Sequence, residues 1–279
     1  MQELEGKAAV VIGGGSGVGR GIALGLAAEG MRVMVADIER DSAETVTKEI
    51  VERGGAARAT SVDATRADSL GSVVERAYDE LGAVHVLSNN AGVSLTKPLA
   101  DTSEADWQWV ISLNLMSVVR SVAAFVPRMK AQGGESHIVN TASMAGLIAG
   151  TTRSMHVPIG VYTATKFACV GYTEVLRNEL AADGIGVSVL CPGMVKSNLG
   201  ATSARNRAAE FGGPFPGPGP LPADLEKMMM PGEAVGPIVV RGIRANRLHI
   251  LTHPEARRLV EQRFENLLAD FDFAADETR

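Results

Sequence analysis

The chain has 279 residues, enough for one large α/β domain or two small ones. Hydrophobic residues make up 46% and charged residues 21%, with a net charge of −5, which fits a soluble globular protein and speaks against nucleic acid or an anionic membrane as main partner. The start, MQELEGKAAVVIGGG, lacks a basic stretch followed by an apolar one, so no signal peptide is expected, and no uncharged apolar run approaches the ~18 residues that span a bilayer.

Short β-branched runs alternate with amphipathic segments. A strand at 8–12 leads into glycine-rich sequence and a helix to about Gly30; a strand at 32–36 precedes a helix near 41–53, and one at 57–62 precedes a helix near 66–80. A strand at 83–88 follows the helix stop Leu81-Gly82, then come helical patterns near 103–111 and 112–131 and a strand at 136–142. The helix that carries Tyr162 runs to about Ala182, with strands after it at 186–192 and 248–251. Strands separated by helices imply βαβ units and a parallel sheet, and continuous apolar strands imply helices on both of its faces. No internal repeat or linker is visible, so the chain reads as a single domain over 1–279 with a C-terminal helical extension at about 254–270. FGGPFPGPGPLP (211–222) excludes helix and central strand, and it follows a helix-compatible stretch at 198–210. It is either a disordered surface loop or part of a substrate lid over about 198–230.

Cys169 and Cys191 sit in apolar sequence and read as small core residues of a reducing compartment, and the five histidines lack ligand spacing, so no metal is expected. Gly13, Gly17 and Gly19 stand between the first strand and a helix, where glycines let the backbone approach a pyrophosphate and the helix N-terminus favours the anion. Asp37 ends the second strand, where its carboxylate can accept from ribose hydroxyls and repel a 2′-phosphate. That favours NAD over NADP, unless Arg20 or Arg40 turns toward the ribose. Asp63 ends the third strand, either at the adenine edge or as a helix N-cap. Tyr162 and Lys166 lie one helical turn apart among small neighbours, an arrangement in which an ammonium stabilises a phenolate for proton transfer.

Together, G-x-x-x-G-x-G at 13–19, NNAG at 89–92, Asn114, Ser143, Tyr162-x-x-x-Lys166 and Pro192-Gly193 resemble the short-chain dehydrogenase/reductase superfamily in order and spacing. The resemblance covers roughly residues 5–200 and continues less distinctively to about 252. It implies a Rossmann fold, a doubly wound parallel sheet of about seven strands with helices on both faces, and hydride transfer with NAD(P). It also implies a homodimer or homotetramer, and with no signal peptide and core-type cysteines a cytoplasmic location is expected. In such a site Tyr162 is the general acid/base. Lys166 also holds the nicotinamide ribose, Asn114 fixes a relay water, and Ser143 orients the substrate oxygen. The cofactor contacts implied are Gly13, Ser16, Gly17, Val18, Gly19, Asp37, Ile38, Asp63, Ala64, Asn90, Ala91, Gly92, Tyr162, Lys166, Pro192, Gly193, Val195 and Ser197.

The sequence departs from the family pattern at Ile12, where Thr is common, and at Ser197, where Thr is also common. Ser143 and Tyr162 are further apart than usual, the extra residues falling in GTTRSMHVPIG. Segments 94–98, 144–159 and 194–230 supply the expected pocket walls, with Met144, Met155, His156 and Met194 as substrate contacts. Apolar, methionine-rich walls suit an apolar or aromatic secondary alcohol. FVPRM, GIGVSVLCP, KSN and HPEAR resemble the subset containing bacterial Cα-dehydrogenases of aryl ether alcohols. The alternatives are an NADPH-linked carbonyl reductase of the same family, a cofactor-binding protein without turnover, and a dehalogenating lyase relative.

Overall fold

Every side chain of β1 (Ala8–Ile12), β4 (Val86–Asn89) and β5 (Ser136–Thr141) is buried, as strands covered on both faces must be. The computed structural model describes residues 1–149, 158–217, 219 and 223–276. Besides these three strands the sheet contains β2 (Arg32–Asp37), β3 (Ala56–Ser61), β6 (Ile185–Cys191) and β7 (His249–Leu251). All seven run parallel, in the order β3-β2-β1-β4-β5-β6-β7. The chain winds outward from β1 to β3, then returns beside β1 as β4. This reversal opens a crevice at the carboxyl ends of β1 and β4, the usual place for a ligand in such sheets.

One face is covered by α1 (Gly17–Ala28), α2 (Arg40–Glu52) and α9 (Val235–Arg244), which share a core cluster with β1 and β2. The other face is covered by α3 (Ala67–Leu81), α5 (Ser117–Gln132) and α6 (Gly160–Leu180). The helix stop expected at Gly82 is present as a left-handed cap at φ +75°. Cys169 and Cys191 are free thiols in the core, where burial pushes the Cys191 thiol up to about 12.

The two helical patterns expected at 103–111 and 112–131 form one continuous helical run. α4 (Glu104–Ile111) passes through a π-helical turn, Ser112–Met116, directly into α5. By length and composition alone Glu104–Gln132 would cross a bilayer, but it is a core helix here, burying Trp109, Val118, Phe125 and Met129. The helix-compatible stretch 198–210 is helical only as α7 (Leu199–Arg205), followed by a 3-10 turn at Ala209–Phe211. α9 and the short α8 (Ala223–Met228) are additional to the expected elements, and the last helix, α10, extends over Arg257–Asp276.

Candidate active site

The glycines after β1 are there because backbone occupies the space a side chain would need. Gly13 has φ +75°, and a Cβ on it would lie 2.6 Å from the Ala91 amide nitrogen. A Cβ on Gly17 would lie 2.5 Å from that of Ser197. The N-cap of α1, Ser16, makes no side-chain cap bond, and the first turn contains no acidic residue. Its amides are thus left to an anion, so this cradle fits the pyrophosphate of a dinucleotide.

Asp37 is fixed at the end of β2 by two amides: Gly15 donates to Oδ2 at 2.8 Å and Glu39 to Oδ1 at 3.0 Å. Burial pushes its carboxyl above the usual range, against the lowering effect of those amides. Further donors, such as ribose hydroxyls, would favour the charged form. Neither arginine turns toward this carboxylate. Arg20 is held by Glu49 at 2.9 and 2.5 Å, and Arg40 by Glu44 at 2.7 Å. Asp63 accepts from the Thr65 amide at 2.9 Å and from its hydroxyl at 2.6 Å, so it closes a turn while still lining the cavity; α3 is capped by Arg66 instead.

The π turn carries Asn114 into the core, where it is fully buried. Its Oδ1 accepts from the Val93 amide at 2.8 Å; its Nδ2 donates to the Val93 carbonyl at 3.0 Å and to Thr165 Oγ1 at 3.1 Å. Asn114 thereby clamps the strand-end segment 90–93 against α6. A Cβ on Gly92 would lie 3.0 Å from Asn114 Oδ1 and 3.5 Å from Lys166 Nζ, so a side chain there would press on the asparagine amide. Lys166 is 4% exposed and donates from Nζ to the Thr141 carbonyl at 2.9 Å. That nitrogen lies 5.5 Å from the centre of the Tyr162 ring. Ser143 begins a 3-10 turn, Met144–Gly146, with Oγ accepting from the Ala145 amide at 3.1 Å.

One cavity of about 290 Å³ connects these groups. Its walls include Gly13, Ser16, Val18, Gly19, Asp37, Ile38, Asp63, Ala64, Asn90, Ala91, Gly92, Ser143, Tyr162, Lys166, Pro192, Gly193, Val195 and Ser197. Gly17 and Asn114 stand behind the wall. Met144 is drawn into the core beside Cys169 and Val170, and Met194 spends its carbonyl on the Met230 amide at 2.9 Å; neither side chain lines the cavity, contrary to the sequence expectation. Met155 and His156 lie outside the described residues.

Several residues at the site are additional to the sequence reading. Trp109 and Leu113 line the cavity, beside Phe211 of the expected wall segment 194–230. His253 packs beneath Gly193 and its Nδ1 accepts from the Gly193 amide at 3.2 Å, so a side chain at Gly193 would strike the imidazole. Glu39 and the α7 segment line opposite parts of the wall and are bridged, since Glu39 Oε1 accepts from the Arg205 guanidinium and from Asn206 Nδ2 at 3.0 Å. Behind the site a buried polar chain crosses the sheet: Ser121 to Asn89 at 2.7 Å, Asn89 to Asn140 at 2.8 Å, Asn140 to Thr173 at 3.2 Å. Two asparagines within buried strands were the available signal for it.

The short chain dehydrogenase family profile matches residues 7–208. The chain belongs to the short-chain dehydrogenases. It is 31% identical over 278 residues to a C alpha-dehydrogenase of Sphingobium sp., covering 96% of this chain and 87% of that one. It is 37% identical over 194 residues to a cyclohexanol dehydrogenase of Acinetobacter sp., covering 69% of this chain and 74% of that one. A short-chain dehydrogenase/reductase from Burkholderia phymatum, solved in complex with NAD, superposes with a TM-score of 0.85 at 31% identity, covering 97% of each chain. This short-chain dehydrogenase therefore has the Rossmann fold and is an oxidoreductase acting on CH–OH groups with a nicotinamide cofactor. It resembles the aryl ether alcohol dehydrogenases in particular.

Proposed function

We propose that the protein is an NAD-preferring dehydrogenase of an apolar or aromatic secondary alcohol, with Tyr162 as the proton acceptor. The observation that carries this reading is the joining of Asp37, Tyr162, Lys166 and Ser143 by one cavity. The nicotinamide, when bound, supplies the hydride acceptor. Gly13, Val18 and Gly19 would hold its pyrophosphate, and Asp37 its adenosine ribose. Arg20 and Arg40, both engaged elsewhere, offer nothing to a 2′-phosphate at that position.

Ser143 Oγ orients the substrate hydroxyl, and Tyr162 takes the hydroxyl proton. An unassisted phenol has a pKa near ~10, so it needs help at neutral pH. Lys166 supplies it: the Thr141 carbonyl anchors the ammonium, and two N–H groups remain for the phenolate side and a ribose hydroxyl. Asn114 acts at one remove, holding Val93 and Thr165 so that β4, α6 and Lys166 keep their spacing. The segment 199–217 folds over the cavity as a lid, tethered through Glu39. The C alpha-dehydrogenase and cyclohexanol dehydrogenase relatives support a ring-bearing secondary alcohol.

The test follows the near-ultraviolet absorbance of reduced nicotinamide across cyclohexanol, 1-phenylethanol and linear secondary alcohols with either cofactor. Faster turnover of the ring-bearing alcohols with NAD is expected. Exclusive use of NADP, or no turnover of any alcohol, would overturn the reading.

A further inference from the structure

Among the described residues, three buried side-chain polar atoms lack a hydrogen-bond partner: Thr47 Oγ1, Trp109 Nε1 and Arg207 Nε. Two of the three belong to one cluster, formed between Trp109 and the segment 199–217. The Arg207 guanidinium lies 4.9 Å from the centre of the Trp109 ring, and Phe215 meets that ring edge-on at 5.7 Å. Trp109 is 1% exposed, yet it lines the cavity together with Leu113 and Phe211. A buried donor without an acceptor is costly, so an acceptor is expected to complete it. The Trp109 cluster is made of Val93, Leu95, Val110, Leu113, Val161 and aromatic rings, and Arg207, which stacks on the indole, is itself a donor, so the acceptor has to come from outside the cluster.

The same place holds surplus positive charge. Asp106 accepts from Lys97 at 2.9 Å and from Arg207 at 2.8 Å, two cations on one carboxylate. Its remaining capacity goes to the Ser103 hydroxyl and amide, at 2.8 and 3.0 Å. The nearby Glu104 and Glu210 are exposed to solvent.

We propose that the indole N–H of Trp109 receives a carboxylate oxygen of the substrate, carried on its apolar body away from the reacting hydroxyl. The substrate class is thus a hydroxy acid with an apolar spacer. Arg207 is a positioning residue: it stacks on the indole and supplies the positive potential that selects an anion over a neutral carbonyl. The inference rests on the secondary-alcohol reading of the cavity.

It is tested with 4-(1-hydroxyethyl)benzoate and 3-hydroxycyclohexanecarboxylate, each beside its methyl ester. The acids are expected to exceed their esters in kcat/KM by about ten-fold or more. Trp109→Phe keeps an aromatic ring and should erase most of that ratio through KM; Arg207→Gln should lower it and weaken its dependence on salt. Equal use of acid and ester by the wild type, or an unchanged ratio in Trp109→Phe, overturns the proposal while leaving the dehydrogenase reading intact. Failure to oxidise any of the four compounds or cyclohexanol overturns both.

A different observation carries a second inference. Residues 264–274 of α10 are exposed throughout, and Phe264, Leu267, Leu268 and Phe271 form a stripe at i, i+3, i+4 and i+7, exposed by 49%, 44%, 61% and 67%. So short a helical segment is marginal in water without packing. The charges also oppose the helix dipole: the first half carries Arg257, Arg258 and Arg263 against Glu261 and Glu265, while Asp270, Asp272 and Asp276 fall in the second. In an antiparallel pair this polarity becomes complementary, with Arg263 meeting Asp272 of the other copy. That pairing centres between Leu267 and Leu268.

We infer that α10 packs antiparallel on α10 of a second copy about a two-fold axis through that point. Leu268→Cys in the full chain should form an intermolecular disulfide under mild oxidation, the native Cys169 and Cys191 being buried, whereas Val51→Cys on α2 should not. Phe264→Asp with Leu268→Asp should lower the mass seen by light scattering while leaving the circular dichroism of the sheet domain intact. No cross-link at Leu268→Cys, or an unchanged mass in the double variant, overturns the inference.

Discussion

Lys166 Nζ lies 5.5 Å from the centre of the Tyr162 ring while donating to the Thr141 carbonyl at 2.9 Å. One ammonium is thus shared between the end of β5 and the phenol one helical turn earlier. Tyr162→Phe removes only the hydroxyl and leaves this anchoring in place. Turnover should fall by about 10²–10⁴-fold, with NAD affinity unchanged by fluorescence titration. Appreciable residual turnover would remove Tyr162 from the proton-transfer role.

Besides the ribose contact proposed for it, Asp37 has a structural task, since Oδ2 holds the Gly15 amide of the glycine loop. Asp37→Ala should raise the ratio of NADP to NAD use about ten-fold or more, and also loosen the loop enough to raise KM for both. Asp37→Asn keeps an acceptor for Gly15 and should change the ratio with less effect on NAD. A ratio unmoved in both variants would take Asp37 out of cofactor choice.

The Glu39 bridge has a definite pH signature. Burial raises this carboxyl, but the bonds from Arg205 and Asn206 outweigh it and hold the group below the usual range. A carboxylate lowered in this way keeps its stabilising effect above its ordinary value and loses it as the pH falls through the lowered one. The KM for NAD should therefore stay flat through neutral pH and rise only in acid. Arg205→Ala should raise KM several-fold at neutral pH and remove that acid limb.

His137 is buried neutral: burial, with the N-terminus and Arg177 adding to it, brings its pKa from 6.5 down to about 3. Its Nε2 meets Ser188 Oγ at 2.7 Å, and Ser188 donates to the Arg247 carbonyl at 2.6 Å, so the ring proton sits on Nε2. The unfolded chain takes up a proton below pH 6.5 that the folded chain refuses until about 3, so stability falls with pH across that window. From pH 7 to pH 5 this group should remove about 2 kcal/mol. Urea midpoints of His137→Gln should decline less over that interval than those of the wild type.

The parts of the site legible in the sequence were those written in local spacing. Gly13 to Gly19, Asp37 at a strand end and Tyr162 four before Lys166 are each short-range patterns with a direct physical reading. The parallel sheet followed from strands separated by helices, and its two covered faces from continuous apolar strands. The π turn at Asn114 was not legible, because one extra residue per turn alters no composition and the segment reads as two helices. Nor were the pairs Glu39–Arg205 and Trp109–Arg207, whose members lie about 100 or more positions apart and meet only through the fold. Met144 was misplaced because a methionine after a strand suits a core as well as a pocket.

The Glu39–Arg205 bridge joins the two banks of the cavity on the side where Asp37 and Ile38 stand. On the proposed function the dinucleotide would enter while the bridge is open, and product-inhibition kinetics should show ordered binding with the cofactor first. Because the ion pair is partly exposed, moderate salt should weaken the hold on the cofactor and speed its release.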